Sequence, residues 1–331
     1  MDTLRGAVAG TRVYRNNLAR RRHAVSKRGR CSRRFRRLLV EPLEDRRLLS
    51  AGDLDVTFGV GGIVQTDFVG SGDEGIQAIV HQPDGKIVAV GNSTGTVALA
   101  RYDTDGSLDA GFGSGGVQRT SLGSLSDFVS AVALQSDGKI VVAGRTIRTD
   151  VDLALLRYNA NGSLDMTFGI AGIAIADLGG DNFASDLVIQ PDGRIVVAAS
   201  KWTDTRALAV ARFNTNGTLD SSFGAGGSVV SDFGHFHQQG RKISLDSQGR
   251  VVVAMSASAT GSSFDYAAVR YLANGTLDTG FGSGGLATVD FGGLYGYLSA
   301  MELQSDDRIV LGGFVIRPAV RLRRTTSGWL A

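Results

Sequence analysis

The side chains able to do chemistry are few. Histidine occurs at 23, 81, 235 and 237, and Cys31 is the single cysteine. His235 and His237 flank Phe236 and would share one face of a strand, but no third ligand accompanies them, so they read as a solvated pair rather than a metal site. His81 falls in a presumed inner strand, as a satisfied or channel-facing side chain. A better cation motif is Asp103, Asp105 and Asp109 around Gly106, spelling D-x-D-G-x-x-D. Calcium takes about six to eight hard oxygens, often from carboxylates on a tight glycine turn. The same positions downstream are Asn159, Asn161 and Asp165, then Asn214, Asn216 and Asp220, which favours a turn role shared by all copies and leaves calcium as a reading of the first site above the others. The stretch Phe112, Gly113, Ser114, Gly115, Gly116 is rich in glycine, yet no helix follows it, so it lacks the dipole of a phosphate cradle. No serine sits in a nucleophile elbow, and the acidic residues recur by unit rather than standing out as an acid and base pair. On this reading the chain has no catalytic residues and no cofactor, and is not an enzyme.

The elements that carry these residues repeat. The phrase G-x-L-D-x-x-F-G-x-x-G begins at Gly52, Gly106, Gly162, Gly217 and Gly275, and a remnant of a sixth start stands at Gly328. Each unit supplies four short apolar segments. Between the first two lies a turn such as Ser136, Asp137, Gly138, where Asp opens the bend and Gly takes the positive φ. The runs Ile140 to Ala143, Ile195 to Ala199 and Val251 to Met255 are apolar without alternation, which predicts strands covered on both faces. Leu108 and Phe112, with Gly113 after them, predict one helical turn with a left-handed cap that plugs the gap between units. Four-stranded sheets packed radially satisfy all of this.

Together the L-D-x-x-F-G phrase, the P-D-G-K-I-V-V-A-G hairpin and the L-A-R-Y strand resemble the delta-60 repeat, a bacterial β-propeller repeat family, over about residues 52 to 328. Gln248, Asp307 and Arg324 depart from its pattern. The resemblance implies a propeller and no established reaction. The expected fold is therefore all-β, a single five-bladed β-propeller of four-stranded blades over residues 52–331. Ring closure is expected where the orphan fourth strand Ile63 to Phe68 pairs with a third strand near Leu322 to Thr325. An Arg on the third strand is followed twenty residues later by Asp in three units (Arg157 and Asp177, Arg212 and Asp232, Arg270 and Asp290), which suggests cross-strand ion pairs, with Arg323 meeting Asp67 across the closure.

Residues 1–51 form a different body. Positions 1 to 50 hold 15 Lys+Arg against 4 Asp+Glu, leaving 20 basic and 28 acidic residues of the chain's 35 and 32. Such a split predicts a disordered, arginine-rich arm on a folded, acidic body. Arg33, Arg34 and Phe35 lack the apolar run of a twin-arginine signal. Val40, Glu41, Pro42, then Arg47, Leu48, Leu49 and Ser50, resemble the L-E-P-R-x-L-L-S segment of planctomycete extracellular proteins, which implies export. Clusters such as Arg20, Arg21, Arg22 would also neutralise phosphates, but without interleaved aromatics nucleic-acid binding is the lesser reading. No apolar run is long enough to span a membrane.

The leading expectation is thus an extracellular or cell-surface, monomeric propeller acting as a structural or interaction module for an unknown protein or polysaccharide ligand. The alternative is an extracellular enzyme of a polysaccharide or small molecule at the channel, where Gln82, Gln135, Gln190, Asp246 and Gln304 end the inner strands.

Overall fold

The structure is a computed structural model and describes residues 53–68, 74–124, 127–234, 237–258 and 263–316. The predicted arm and the segment Leu322 to Thr325 lie outside the described residues, as does His235.

The first blade is an antiparallel meander of β1 (Glu74–His81), β2 (Ile87–Ser93), β3 (Thr96–Tyr102) and β4 (Val117–Thr120). The second repeats it with β5 (Phe128–Leu134), β6 (Ile140–Ile147), β7 (Val151–Tyr158) and β8 (Ile173–Ala176). β9 (Asp181–Ile189), β10 (Ile195–Trp202), β11 (Arg206–Phe213) and β12 (Ser228–Ser231) make the third. β13 (His237–Leu245), β14 (Val251–Ser258), β15 (Asp265–Tyr271) and β16 (Leu286–Val289) make the fourth, linked to the third by one parallel pair, Arg206 with His237. A fifth unit contributes β17 (Tyr295–Leu303) and β18 (Ile309–Ile316). The architecture is all-β, with repeated sheets arranged as blades of a propeller-type fold. First strands neighbour one another in chain order, β1 to β5 to β9 to β13 to β17.

The apolar runs behave as their lack of alternation demands. Val141, Val142, Leu155 and Leu156 are fully buried, because both faces of β6 and β7 meet another sheet. The L-D-x-x-F-G phrase forms a tight turn rather than a helical one. Phe112 N–H donates to the Asp109 carbonyl, and Gly113 follows at φ +54°. Phe112, Phe168 and Phe223 are each fully buried, which is worth about 1.5–3 kcal/mol apiece. The turn also stitches units together: Gly113 N–H donates to Asn161 O (2.8 Å), Gly169 N–H to Asn216 O (2.7 Å) and Gly224 N–H to Asn274 O (2.9 Å).

The predicted twenty-residue ion pairs do not form. Each Arg instead meets the Asp eight residues on, inside its own turn: Arg157 Nε lies 2.8 Å from Asp165 Oδ2 and Arg212 Nε 2.7 Å from Asp220 Oδ2. The guanidinium lies over the turn phenylalanine, Arg157 at 4.6 Å from the Phe168 ring centre, and Arg157 Nη1 donates to Thr215 O of the next unit. Counting along the chain missed this because the Asp is brought back by the turn, whereas Asp177, Asp232 and Asp290 accept backbone N–H groups two residues on.

Residues 63–68 lie on the first blade as a preceding fourth strand would. Thr66 Oγ1 and Tyr102 Oη are 2.7 Å apart, matching Tyr158 with Thr120 (2.9 Å) and Tyr271 with Ser231 (2.8 Å). Val64 and Phe68 pack on Ala89, Ala100 and Tyr102. Ile76 of β1 is 60% exposed although its register counterparts Val129 and Leu298 are buried, so this face has no full cover among the described residues.

Candidate metal centre

One end of the blades gathers the chemistry. At that end β6 turns into β7, β8 ends and β9 begins, and the register sets Thr146 opposite Asp152 and Leu153 opposite Ala176. Asp150 precedes β7, Asp152 is its second residue, and Asp177 follows β8. One carboxylate oxygen from each lies within 4.8 Å of the other two. Asp152 is 4% exposed and its Oδ1 has no hydrogen-bond partner. Burial pushes its carboxyl above the usual range, Asp150 and Asp177 push it further, and Arg148 offsets them in part. Asp177 is anchored by the Gly179 N–H, which donates to Oδ1 at 2.6 Å, and Val151 N–H donates to Asp181 Oδ1 at 3.0 Å, fixing the start of β7. Three convergent oxygens, one of them buried and unpaired, suit a hard divalent cation such as calcium.

Only the second unit carries all three carboxylates. Counted from the repeated Arg, the same positions are Thr94, Thr96 and Ser121 in the first unit, Thr205, Ala207 and Asp232 in the third, and Ser263, Asp265 and Asp290 in the fourth. That irregularity was the available sequence signal. A search for residues shared by every copy passes over it.

The residues singled out from sequence sit elsewhere. Asp103 Oδ1 lies 2.8 Å from Lys86 Nζ, and Asp109 Oδ2 lies 2.6 Å from Lys86 Nζ and 2.7 Å from Arg101 Nε. Lys86 chiefly, then the Gly111 N–H and Arg101, hold the Asp109 carboxyl down at about 2 against the cost of burial. Asp105 Oδ1 accepts the N–H and hydroxyl of Ser107. A cation at this turn would compete with Lys86 and Arg101. His81 Nδ1 lies 3.2 Å from Gln82 O, and His237 stacks on Phe264 with its pKa lowered by burial and by Arg206. Gln82, Gln135, Gln190 and Asp246 are buried, and their backbones hold the hairpins, Gln82 N–H donating to Lys86 O.

A family profile described as "Domain of unknown function (DUF5122) beta-propeller" matches residues 82–112, 135–168, 190–223 and 247–281. No curated protein matches the chain. Solved structures similar to it include a polysaccharide lyase of a new family, PL25 ulvan lyase (12% identity, 77% of this chain and 73% of that one, TM-score 0.43). A gluconolactonase from Xanthomonas campestris (14%, 71% and 68%, TM-score 0.39) and Drosophila Semaphorin 2a (9%, 71% and 52%, TM-score 0.38) are also among them.

The expectation of an interaction module with no identifiable catalytic site, and of a chain that is not an enzyme, is corrected here. It rested on acidic residues recurring by unit. As a set, Asp150, Asp152 and Asp177 do not recur in another unit; they converge in space and include a carboxyl perturbed in the way functional acids are.

Proposed function

We propose that the chain is an exported enzyme of saccharides, built on a five-bladed propeller over residues 52–331, whose chemistry is assisted by a divalent cation such as calcium held by Asp150, Asp152 and Asp177. The buried, unpaired Asp152 Oδ1 facing two further carboxylates carries this reading, since leaving three such charges together without a counter-ion is costly. A cation there would polarise a hydroxyl or carboxylate oxygen of the substrate, and the carboxylates would set its position. The five-blade count is supported by residues 63–68, which lie against the first blade as the fourth strand of a preceding blade would, with Thr66 beside Tyr102. Export is supported by the segment from Val40 to Ala51 alone. The Asp103, Asp105 and Asp109 turn stands as a second, weaker calcium candidate. The test is release of new reducing ends or of unsaturated sugar from a panel of acidic and neutral polysaccharides, with calcium and with chelator. Calcium-dependent product that Asp152→Asn abolishes supports the proposal, and product unchanged by chelator and by that variant refutes it.

A further inference from the structure

Beside the acidic cluster, at the same end of the blades, aromatic rings and guanidinium groups alternate across successive blades. Arg145 of β6 lies between two rings, 4.8 Å from the centre of Phe128 and 4.9 Å from that of Phe183 in the next blade. Phe183 packs on Trp202 with ring centres 4.2 Å apart, and Arg206 lies 3.7 Å above the Trp202 ring. The parallel pair Arg206 with His237 carries the row to the fourth blade, where His237 stacks on Phe264 and Phe264 on Tyr297 of the fifth unit. All these side chains are partly exposed.

Neither Arg145 nor Arg206 has a hydrogen-bond or ion-pair partner among the described residues, in contrast to the repeated arginines of the turns. Burial lowers the pKa of Arg145, and among the described residues only the two ring faces stand against that cost. A guanidinium stacked on a ring keeps its N–H edge free for a bidentate anion. The parts of these rings left exposed offer apolar surface against which the C–H groups of a sugar pack.

We propose that this row is a binding surface for an acidic saccharide, its C–H groups packing on the exposed parts of Trp202 and Phe183 and its carboxylate or sulfate groups paired with Arg145 and Arg206. The inference rests on the reading of the chain as an enzyme of saccharides and names the class of substrate. A nucleic acid fits less well. It carries a phosphate on every unit and needs a dense run of cations, whereas here two unpaired guanidinium groups are spaced by rings on a body with 20 basic and 28 acidic residues beyond position 50. A saccharide charged on some residues and apolar-faced on others matches that spacing.

The test is calorimetric titration of the full chain with oligogalacturonate, with a neutral cello-oligosaccharide and an oligothymidylate beside it. Keeping the N-terminal arm in every variant holds its non-specific attraction constant. Binding of oligogalacturonate above the neutral sugar, weakened about tenfold by each of Arg145→Gln, Arg206→Gln and Trp202→Ala, is expected. Arg145→Lys, which retains charge without the planar edge, should weaken it less than Arg145→Gln. Variants that melt with the wild type yet bind as tightly overturn the proposal, as does oligothymidylate binding that depends on Arg145 in the same way. Binding that survives Asp152→Asn supports the saccharide surface even where the cation reading fails.

Discussion

Replacing Arg157 by Ala tests how one unit is tied to the next. Arg157 and Asp165 are 6% and 4% exposed, and the substitution removes the 2.8 Å ion pair, the stacking over Phe168 and the bond to Thr215 O of the third blade. Breaking one side of a buried pair costs about 3–5 kcal/mol. Lys139, 3.4 Å from Asp165 Oδ2, and the Thr167 N–H and hydroxyl remain to hold the orphaned carboxylate, so the lower end, about 3 kcal/mol, is expected. At a urea slope of about 3 kcal/mol per molar, the unfolding midpoint followed by circular dichroism falls by about 1 M. Arg101→Ala should cost less, because Lys86 sits 2.6 Å from Asp109 and takes over. In chelator, where no cation contributes, Asp177→Asn should cost little, since Asp177 is exposed and pairs with no arginine among the described residues. A drop for Arg157→Ala of about 0.3 M or less, the size expected of a surface pair, or a larger loss for Asp177→Asn than for Asp165→Asn, would refute the reasoning.

Other outcomes follow from the same geometry. Asp109 and Asp165 have carboxyls held down at about 2 from the ordinary 3.8, so their contribution is complete above about pH 4 and is lost as pH falls towards 2. A melting series over that range should show the decline, and Asp109→Asn with Asp165→Asn should flatten it. Gly169→Ala places a Cβ at φ +53° and 2.1 Å from Ile173 O, and should lower stability by about 2 kcal/mol or more in denaturant titration. Thr120→Val leaves the fully buried Tyr158 hydroxyl without its 2.9 Å partner and should cost about 1–3 kcal/mol, read the same way.

Much of the fold was legible because it is written several times over. A hairpin needing positive φ at Gly85, Gly138 and Gly193, and a strand apolar at every position, leave little choice of partner. Asp307 shows how a departure is absorbed: it adopts φ +62° in place of glycine, and its carboxylate accepts the N–H and hydroxyl of Ser247 in the preceding blade. The ion pairs were misread because strand register does not say which way a long side chain folds over a turn. The candidate site was hidden for the opposite reason. Asp150, Asp152 and Asp177 are separated by a whole β-hairpin arm and are ordinary in composition, so only the packing of β7 against β8 joins them. The row from Phe128 to Phe264 is likewise drawn from three blades and has no footprint in any single unit.

The cation site is tested most directly by melting the wild type and Asp152→Asn in chelator and in calcium. Asp152 has a raised carboxyl, so without a cation the stability it lends is present at low pH and lost as pH rises through that raised value. At neutral pH in chelator the variant should therefore melt above the wild type. Calcium at a hundredfold excess over its dissociation constant should raise the wild type alone by about 5 °C or more and reverse the order. Two curves that keep the same order in both conditions, or a calcium shift equal in both proteins, would contradict the site.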